Sequence, residues 1–364
     1  MEDRISHAKR EVLQACRLLV ERGLVARTWG NVSARAGEGI FVITPSGLAY
    51  DSLTEEHIVT VHLADGSYEG DLKPSSEWGI HADSYLLRPE VQFVVHTHQR
   101  MASALSVSPD ALEIPEDLGN VLRGKIVPCA AYGISSTKKL RRAVRSAVET
   151  YRECNVFLMR RHGALLLGGD LQEAFAAAEA LEDTAERIYR RRVGDPGAGT
   201  GGGRETSDEE KSMAPPISGD PKMEKLCDEI RESCGIPWVI AAEQDAVIAY
   251  SSQGQPLKPW LDDLAQIAGP NIACCDFADR KAITSALRRR NAVLIKGRGA
   301  LCTGRTRGDA EAVKVILEKG CMAAFYAGTV KDAHPLGAAD AALQRYVYLY
   351  KYSRKQDSFQ NPQK

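Results

Sequence analysis

No stretch of this 364-residue chain approaches the roughly twenty consecutive apolar residues that a membrane span requires. Charge imbalance is lacking too. With 47 Lys and Arg against 48 Asp and Glu, the formal net charge is -1, which gives no reason to expect nucleic acid or an anionic membrane as partner. Nine cysteines include no Cys-x-x-Cys pair, and Cys274 and Cys275 are adjacent and poorly placed to bridge one another. Reduced thiols in a cytoplasmic protein are the expectation. The start, Met1-Glu2-Asp3-Arg4, is acidic and runs into an amphipathic helix, unlike a signal peptide. Basic clusters at 138–145 and 187–192 fall in helical patterns and read as solvated faces. What is present is ordinary globular composition, 44% hydrophobic and 26% charged, over a length that suits two cores.

Residues 194–221 are glycine-rich, then charged and proline-rich, a composition that buries too little apolar surface to order itself and reads as a flexible linker. The sequences on either side are related. Asn155-Val156-Phe157-Leu158-Met159-Arg160-Arg161-His162-Gly163-Ala164-Leu165 reappears as Asn291-Ala292-Val293-Leu294-Ile295-Lys296-Gly297-Arg298-Gly299-Ala300-Leu301. A looser match lays Phe93 to His98 on Trp238 to Glu243. The later copy therefore carries Ala241, Glu243 and Arg298 where the earlier has His96, His98 and His162. An internal duplication is expected, with units at 1–193 and 222–355 and a disordered tail at 356–364. The later unit is partial and without metal ligands, so chemistry belongs to the first.

Short apolar runs bounded by Gly, Pro or Asp mark strands near 30–36, 40–44, 58–63, 91–97, 126–129 and on both sides of His162. Three- and four-residue spacing marks helices over 5–22, 76–87, 101–106, 136–152 and 170–192. The later unit reads as helix 222–233, strand 237–241, helix 258–268, strand 271–275, helix 279–290, strands near 293 and 300, and helices 308–327 and 338–353. An α/β class follows, a mixed sheet covered by helices.

His96 and His98 close the apolar run Val91-Gln92-Phe93-Val94-Val95. Residues two apart on a strand project from one face, so the pair can share an ion. His162 sits in a turn between two apolar runs, followed by Gly163, which permits a tight turn. Three imidazoles with one open position are the donor set of a catalytic rather than a structural zinc. Glu77, closing Pro74-Ser75-Ser76-Glu77, is suited to act as general base beside it. The other histidines read as surface or satisfied core residues, although His81, one helical turn after Glu77, could orient that carboxylate. Three small-residue loops, Thr28-Trp29-Gly30-Asn31-Val32-Ser33, Thr44-Pro45-Ser46-Gly47 and Lys73-Pro74-Ser75-Ser76-Glu77, offer N–H and hydroxyl donors. Each alone is a turn or a cap; together, with a helix starting at Ser75 and Ser76, they suggest a phosphate cradle.

Gly30-Asn31-Val32-Ser33, Ile43-Thr44-Pro45-Ser46-Gly47, Leu53-Thr54-Glu55-Glu56-His57-Ile58-Val59, Pro74-Ser75-Ser76-Glu77-Trp78, Val95-His96-Thr97-His98 and Arg161-His162-Gly163 occur in one order. In that order they resemble the class II aldolase/adducin family, closest to its L-fuculose-1-phosphate aldolase branch, over about residues 5–193, with a fading version through 222–355. The resemblance implies a three-layer α/β/α fold around a nine-stranded mixed sheet, usually in homo-oligomeric four-fold rings with sites between subunits. It implies Zn2+ on His96, His98 and His162, with Mn2+, Co2+ or Fe2+ able to take the same ligands, and Glu77 as acid/base with a pKa brought near working pH by partial desolvation. Sugar-phosphate contacts would fall on Thr28, Gly30, Asn31, Ser46, Gly47, Ser75 and Ser76. The implied activity is a lyase that cleaves or forms a C–C bond of a ketose 1-phosphate, giving dihydroxyacetone phosphate and an aldehyde. The scaffold also serves sugar-phosphate epimerases and dehydratases, hydroxy-acid decarboxylases, and non-catalytic adducin-like proteins. Glutamate at 77 tilts away from the epimerases, and the retained histidines tilt away from adducin. Two departures stand out. Asp117 occupies the place of a family tyrosine donated by a neighbouring subunit. The family's tyrosine-bearing tail has a counterpart only after the second copy, at Tyr346, Tyr348, Tyr350 and Tyr352. The second copy is expected to take a neighbour's place in a pseudo-ring and cover the first copy's site.

Overall fold

The computed structural model describes residues 2–25, 29–194 and 219–352. The expected linker lies almost wholly outside these residues, as do the tail at 356–364 and Thr28. Helix α1 (Glu2–Glu21) buries Ala8, Val12, Ala15, Cys16 and Leu19, the stripe that three- and four-residue spacing lays on one face. Then come β1 (Asn31–Gly37), β2 (Ile40–Ile43), β3 (Val59–His62), α2 (Trp78–Leu87), β4 (Phe93–Thr97), α3 (Arg100–Leu105), β5 (Leu112–Glu113), β6 (Ile126–Val127) and β7 (Cys129–Ala130). Helix α4 (Lys138–Thr150), capped by the Thr137 hydroxyl, is followed by β8 (Val156–Met159), β9 (Gly163–Gly168) and α5 (Leu171–Val193), which Asp170 caps.

Seven of these strands form one sheet in the order β3-β2-β1-β4-β9-β8-β7. Neighbours run antiparallel except β7 and β8, which are parallel, so the sheet is mixed. The two-residue period sorts side chains between its faces. Phe93, Val95, Leu166 and Leu158 join the core with α1, α3 and α5, while Val94, Leu165, Leu167 and Phe157 join the one with α2 and α4. This is the expected three-layer arrangement, with one correction. The sheet has seven strands rather than nine, because β5 and β6 pair only with each other. Pro128 explains the break in the expected 126–129 strand. It has no N–H to continue a ladder, so β6 and β7 on either side of it take different partners.

The second half comprises α6 (Pro221–Cys234), β10 (Trp238–Ala242), α7 (Asp245–Ser252), α8 (Asp262–Ala268), β11 (Cys274–Cys275), α9 (Arg280–Leu287), β12 (Ala292–Ile295), β13 (Gly299–Gly304), α10 (Arg307–Ala327) and α11 (Ala338–Val347). A π-helical turn, Tyr348–Tyr352, continues α11 where one helix was expected to reach 353. Helix α7 was not anticipated. The sheet β10-β13-β12-β11 has the order and strand sense of β4-β9-β8-β7. Even the register agrees: Phe93 faces Gly168 as Trp238 faces Gly304, and Cys129 faces Leu158 as Cys274 faces Leu294. The halves share one apolar core, in which Leu105 and Leu181 of the first meet Leu264, Ile316 and Leu317 of the second. Among the described residues no helix is long and apolar enough to cross a membrane.

Candidate metal centre

His96 lies near the end of β4 on the α2 side, and His98 falls just past the strand, its N–H bonded to Leu24 O at 3.2 Å. The two Nε2 atoms are 3.0 Å apart. His162 enters from the β8–β9 turn, where Arg161 takes a φ of 62° and His162 N–H bonds Met159 O at 2.9 Å. That turn needs glycine next, since a Cβ at position 163 would stand 2.2 Å from Thr97 O and 3.1 Å from His96 Cε1. Gly30 serves β4 from the other side, where a Cβ would meet His96 O at 2.8 Å. The three rings are buried, and their ligand atoms all lie within 4.8 Å of one another. Among the described residues no second group of this kind occurs.

Glu77 stands at the N-cap position of α2 without capping it and aims its carboxylate at the group, Oε2 3.4 Å from His96 Nε2 and Oε1 3.2 Å from His162 Nε2. Asn31 Nδ2 donates to Oε2 at 3.4 Å, while Ser136 N–H and Ser135 Oγ donate to Oε1 at 3.3 and 3.4 Å. His81 does not touch Glu77. Its Nε2 bonds Asn31 Oδ1 and its Nδ1 meets Ser33 Oγ at 2.7 Å, so it steadies the amide that holds the carboxylate.

Burial lowers the pKa of His96 to about 4 and that of His98 well below the usual imidazole range. Both are therefore neutral, as ligands must be. His162 goes the other way. Burial opposes its charge, yet the carboxylates of Glu77 and Asp262 raise its pKa to about 10. Burial also pushes the Glu77 pKa up, but the histidines, His162 foremost, hold it well below the usual carboxylate range. The expected pKa near working pH is thus corrected for the metal-free protein, where Glu77 and His162 form a buried ion pair. The donor set fits a divalent cation, since one buried ring nitrogen from each of the three histidines converges within 4.8 Å and His162 Nε2 makes no hydrogen bond.

The small-residue loops converge here. Gly30, Asn31, Ser46, Gly47, Ser75 and Ser76 line one cavity with Glu77, His98 and His162. Loops 44–47 and 73–76 are pinned together by Ser46 N–H to Lys73 O and Ser75 N–H to Thr44 O, at 2.9 and 3.0 Å. Asp117 is exposed and paired with Arg187 at 2.9 Å. Of the late tyrosines, Tyr348 lines the cavity and stacks on Trp29 with centroids 6.2 Å apart. Tyr346 and Tyr350 are exposed and pack on each other, and the side chain of Tyr352 lies outside the described residues. At the places matching the histidines in the second half, Arg298 pairs with Asp220, and Glu243 accepts from Asp220 N–H at 3.0 Å.

Sequence reasoning expected the second half to cover the site but missed the charged side chains that it brings there. Asp262 and Asp263 of α8 approach His162 and His98, Lys319 of α10 pairs with Asp263, and Gln266 accepts from Trp29 Nε1 at 3.1 Å. A signal existed: two adjacent acids between Trp260-Leu261 and Leu264-Ala265, and a lysine deep in the apolar stretch of α10.

Residues 10–189 match the family model described as the class II aldolase and adducin N-terminal domain. L-fuculose phosphate aldolase of Escherichia coli strain K12 is 32% identical over 177 residues, 49% of this chain and 80% of that protein. The 5-methylthioribulose-1-phosphate/5-deoxyribulose-1-phosphate aldolase of Rhodospirillum rubrum is 34% identical over 179 residues, 49% of this chain and 79% of that protein. A solved L-fuculose 1-phosphate aldolase aligns with a TM-score of 0.47 at 30% identity, covering 50% of this chain and 84% of that one. The chain belongs to the class II aldolase/adducin family.

Proposed function

We propose that the protein is a zinc-dependent lyase that cleaves the C–C bond beyond the carbonyl of a ketose 1-phosphate, releasing dihydroxyacetone phosphate and an aldehyde. One observation carries this: Glu77 and the Nε2 atoms of His96 and His162 face one another beside a cavity whose further walls are the small-residue loops. His96, His98 and His162 would hold the ion. When bound, it would supply Lewis acidity for the negative charge that develops on the ketone oxygen. Glu77 would move the proton at the carbon next to that carbonyl. Positive charge beside Glu77 keeps its carboxyl ionised and so able to accept that proton. Thr28, Gly30, Asn31, Ser46, Gly47, Ser75 and Ser76 would grip the phosphate and convert binding energy into orientation. The relatives' printed substrates give the candidates: L-fuculose phosphate, 5-methylthioribulose 1-phosphate and 5-deoxyribulose 1-phosphate.

In the same reading, residues 222–355 are a degenerate copy of the first unit, supported by the shared strand order and register. The nine cysteines are free thiols, which suits a reducing compartment such as the cytoplasm. The test is a retro-aldol screen of metal-loaded protein over ketose 1-phosphates, read by enzymatic detection of dihydroxyacetone phosphate, with Glu77→Gln as control. Turnover of one substrate that Glu77→Gln lowers by about 10²- to 10⁴-fold is expected. Absence of dihydroxyacetone phosphate from all of them would overturn the aldolase reading.

A further inference from the structure

We propose that the C-terminal half completes the metal centre within the same chain: Asp262 and Asp263 orient His162 and His98 through their Nδ1 atoms, and Lys319 holds Asp263 in place. This rests on the reading of His96, His98 and His162 as metal ligands. A neutral imidazole that turns the lone pair of Nε2 toward an ion carries its proton on Nδ1, and that N–H needs an acceptor to set the tautomer and the ring's direction. His96 finds one inside the first half, Ala164 O at 2.9 Å. For the other two the facing acceptor comes from α8. Asp263 Oδ2 is 3.4 Å from His98 Nδ1, and Asp262 Oδ2 is 3.4 Å from His162 Nδ1.

Both carboxylates are shut off from solvent, at 0% and 1% exposure, so each needs a reason to be there and partners to hold it. Asp262 Oδ1 accepts from Tyr132 O–H at 3.2 Å and from the Gln344 amide. That leaves Oδ2, buried and without a hydrogen-bond partner, facing a His162 Nδ1 in the same condition. Asp263 Oδ1 accepts from Leu264 N–H at 2.8 Å, and its Oδ2 forms an ion pair with Lys319, which also donates to His98 O at 3.3 Å. Helix α8 is anchored to the histidine turn itself by Asp262 N–H to Arg161 O at 2.9 Å. An ion pair that merely glued two halves together would have no need to end on the outer nitrogens of two ligands.

The test uses the full chain: wild type, Asp262→Leu, Asp262→Asn, Asp263→Asn and the charge-neutral Asp263→Asn/Lys319→Met. Each is loaded with Co2+, competed against a chelator, and followed by its visible ligand-field spectrum, with thermal unfolding of the metal-free protein recorded alongside. Expected are about 10- to 100-fold weaker binding and altered bands in the variants, with Asp262→Asn, which keeps an acceptor, closer to wild type than Asp262→Leu. Should Asp263→Asn fail to fold, the double variant, which leaves no unpaired buried charge, carries the comparison. Wild-type protein that takes up no Co2+ would remove the metal reading. Wild type that binds it, with variants matching it in affinity and spectrum, would overturn this inference alone.

Discussion

Lys319→Met tests how the second half is locked to the site. Lys319 and Asp263 are each about 1% exposed, and among the described residues the ammonium is the full cation paired with this carboxylate. Burial raises the Asp263 pKa, yet Lys319 first and His98 second pull it below the usual carboxylate range. Removing the lysine leaves a buried charge with one N–H bond, from Leu264, and an imidazole edge at 3.4 Å. Breaking one side of a buried pair typically costs about 3–5 kcal/mol, whereas replacing both members with well-packed groups of similar size is often close to neutral. The expectation for Lys319→Met is therefore a loss of about 3 kcal/mol. Asp263→Asn should lose a comparable amount through the stranded ammonium, and Lys319→Met/Asp263→Asn should return to within roughly 1 kcal/mol of wild type. Urea unfolding of the four metal-free proteins measures this, provided the slopes agree so that midpoints report stability. A double variant that loses the sum of the two single losses would refute the reasoning, because no coupling would then join Lys319 to Asp263.

Glu77→Gln should keep its metal but lower kcat by about 10²- to 10⁴-fold, the usual range for a lost acid/base group; steady-state kinetics on metal-replete protein decides, and an unchanged kcat would remove Glu77 from proton transfer. Gly163→Ala drives a methyl against Thr97 O and His96 Cε1, so it should cost about 1–3 kcal/mol or more and weaken metal binding; thermal unfolding and a Co2+ titration that both match wild type would contradict this. His81 is buried and neutral, with burial the first cause lowering its pKa to about 3, while an unfolded histidine titrates near about 6.5. Between those values the unfolded chain holds one more proton, so this contribution to stability is complete above about pH 6.5 and falls by up to about 1.4 kcal/mol per pH unit as pH drops. His81→Gln should therefore flatten the stability-versus-pH slope of the metal-free protein by about one proton in that window, and an unchanged slope would show that His81 does not titrate this way.

The grouping of His96, His98 and His162 was legible because strand periodicity is strict. Two residues after His96 is His98, and a glycine after His162 is the residue a turn against Thr97 O must have. The three loops were legible as donors, although their convergence depends on the Pro45–Pro74 bridge, which no local pattern announces. The split of the expected 126–129 strand could have been read from Pro128, whose missing N–H ends a ladder. Helix α7 was missed because Ala246-Val247-Ile248-Ala249-Tyr250 is one unbroken apolar run without three- and four-residue spacing, and no side chain caps its start. The hidden part of the site lies where the second half meets the first. Asp262 and Asp263 are adjacent residues on a seven-residue helix far along the chain, and nothing local says that they end on imidazoles some 100 and 165 positions earlier. The charge state of Glu77 was likewise beyond a sequence reading, since it depends on His162 being held cationic by two carboxylates at once.

Elemental analysis after equilibrium metal titration of the full chain, alongside His96→Ala, His98→Ala and His162→Ala, tests the central claim most directly. One divalent ion per chain in the wild type, lost from each variant while the metal-free fold persists, is the predicted result. Wild-type protein without bound ion, or variants that keep a full equivalent, would contradict it.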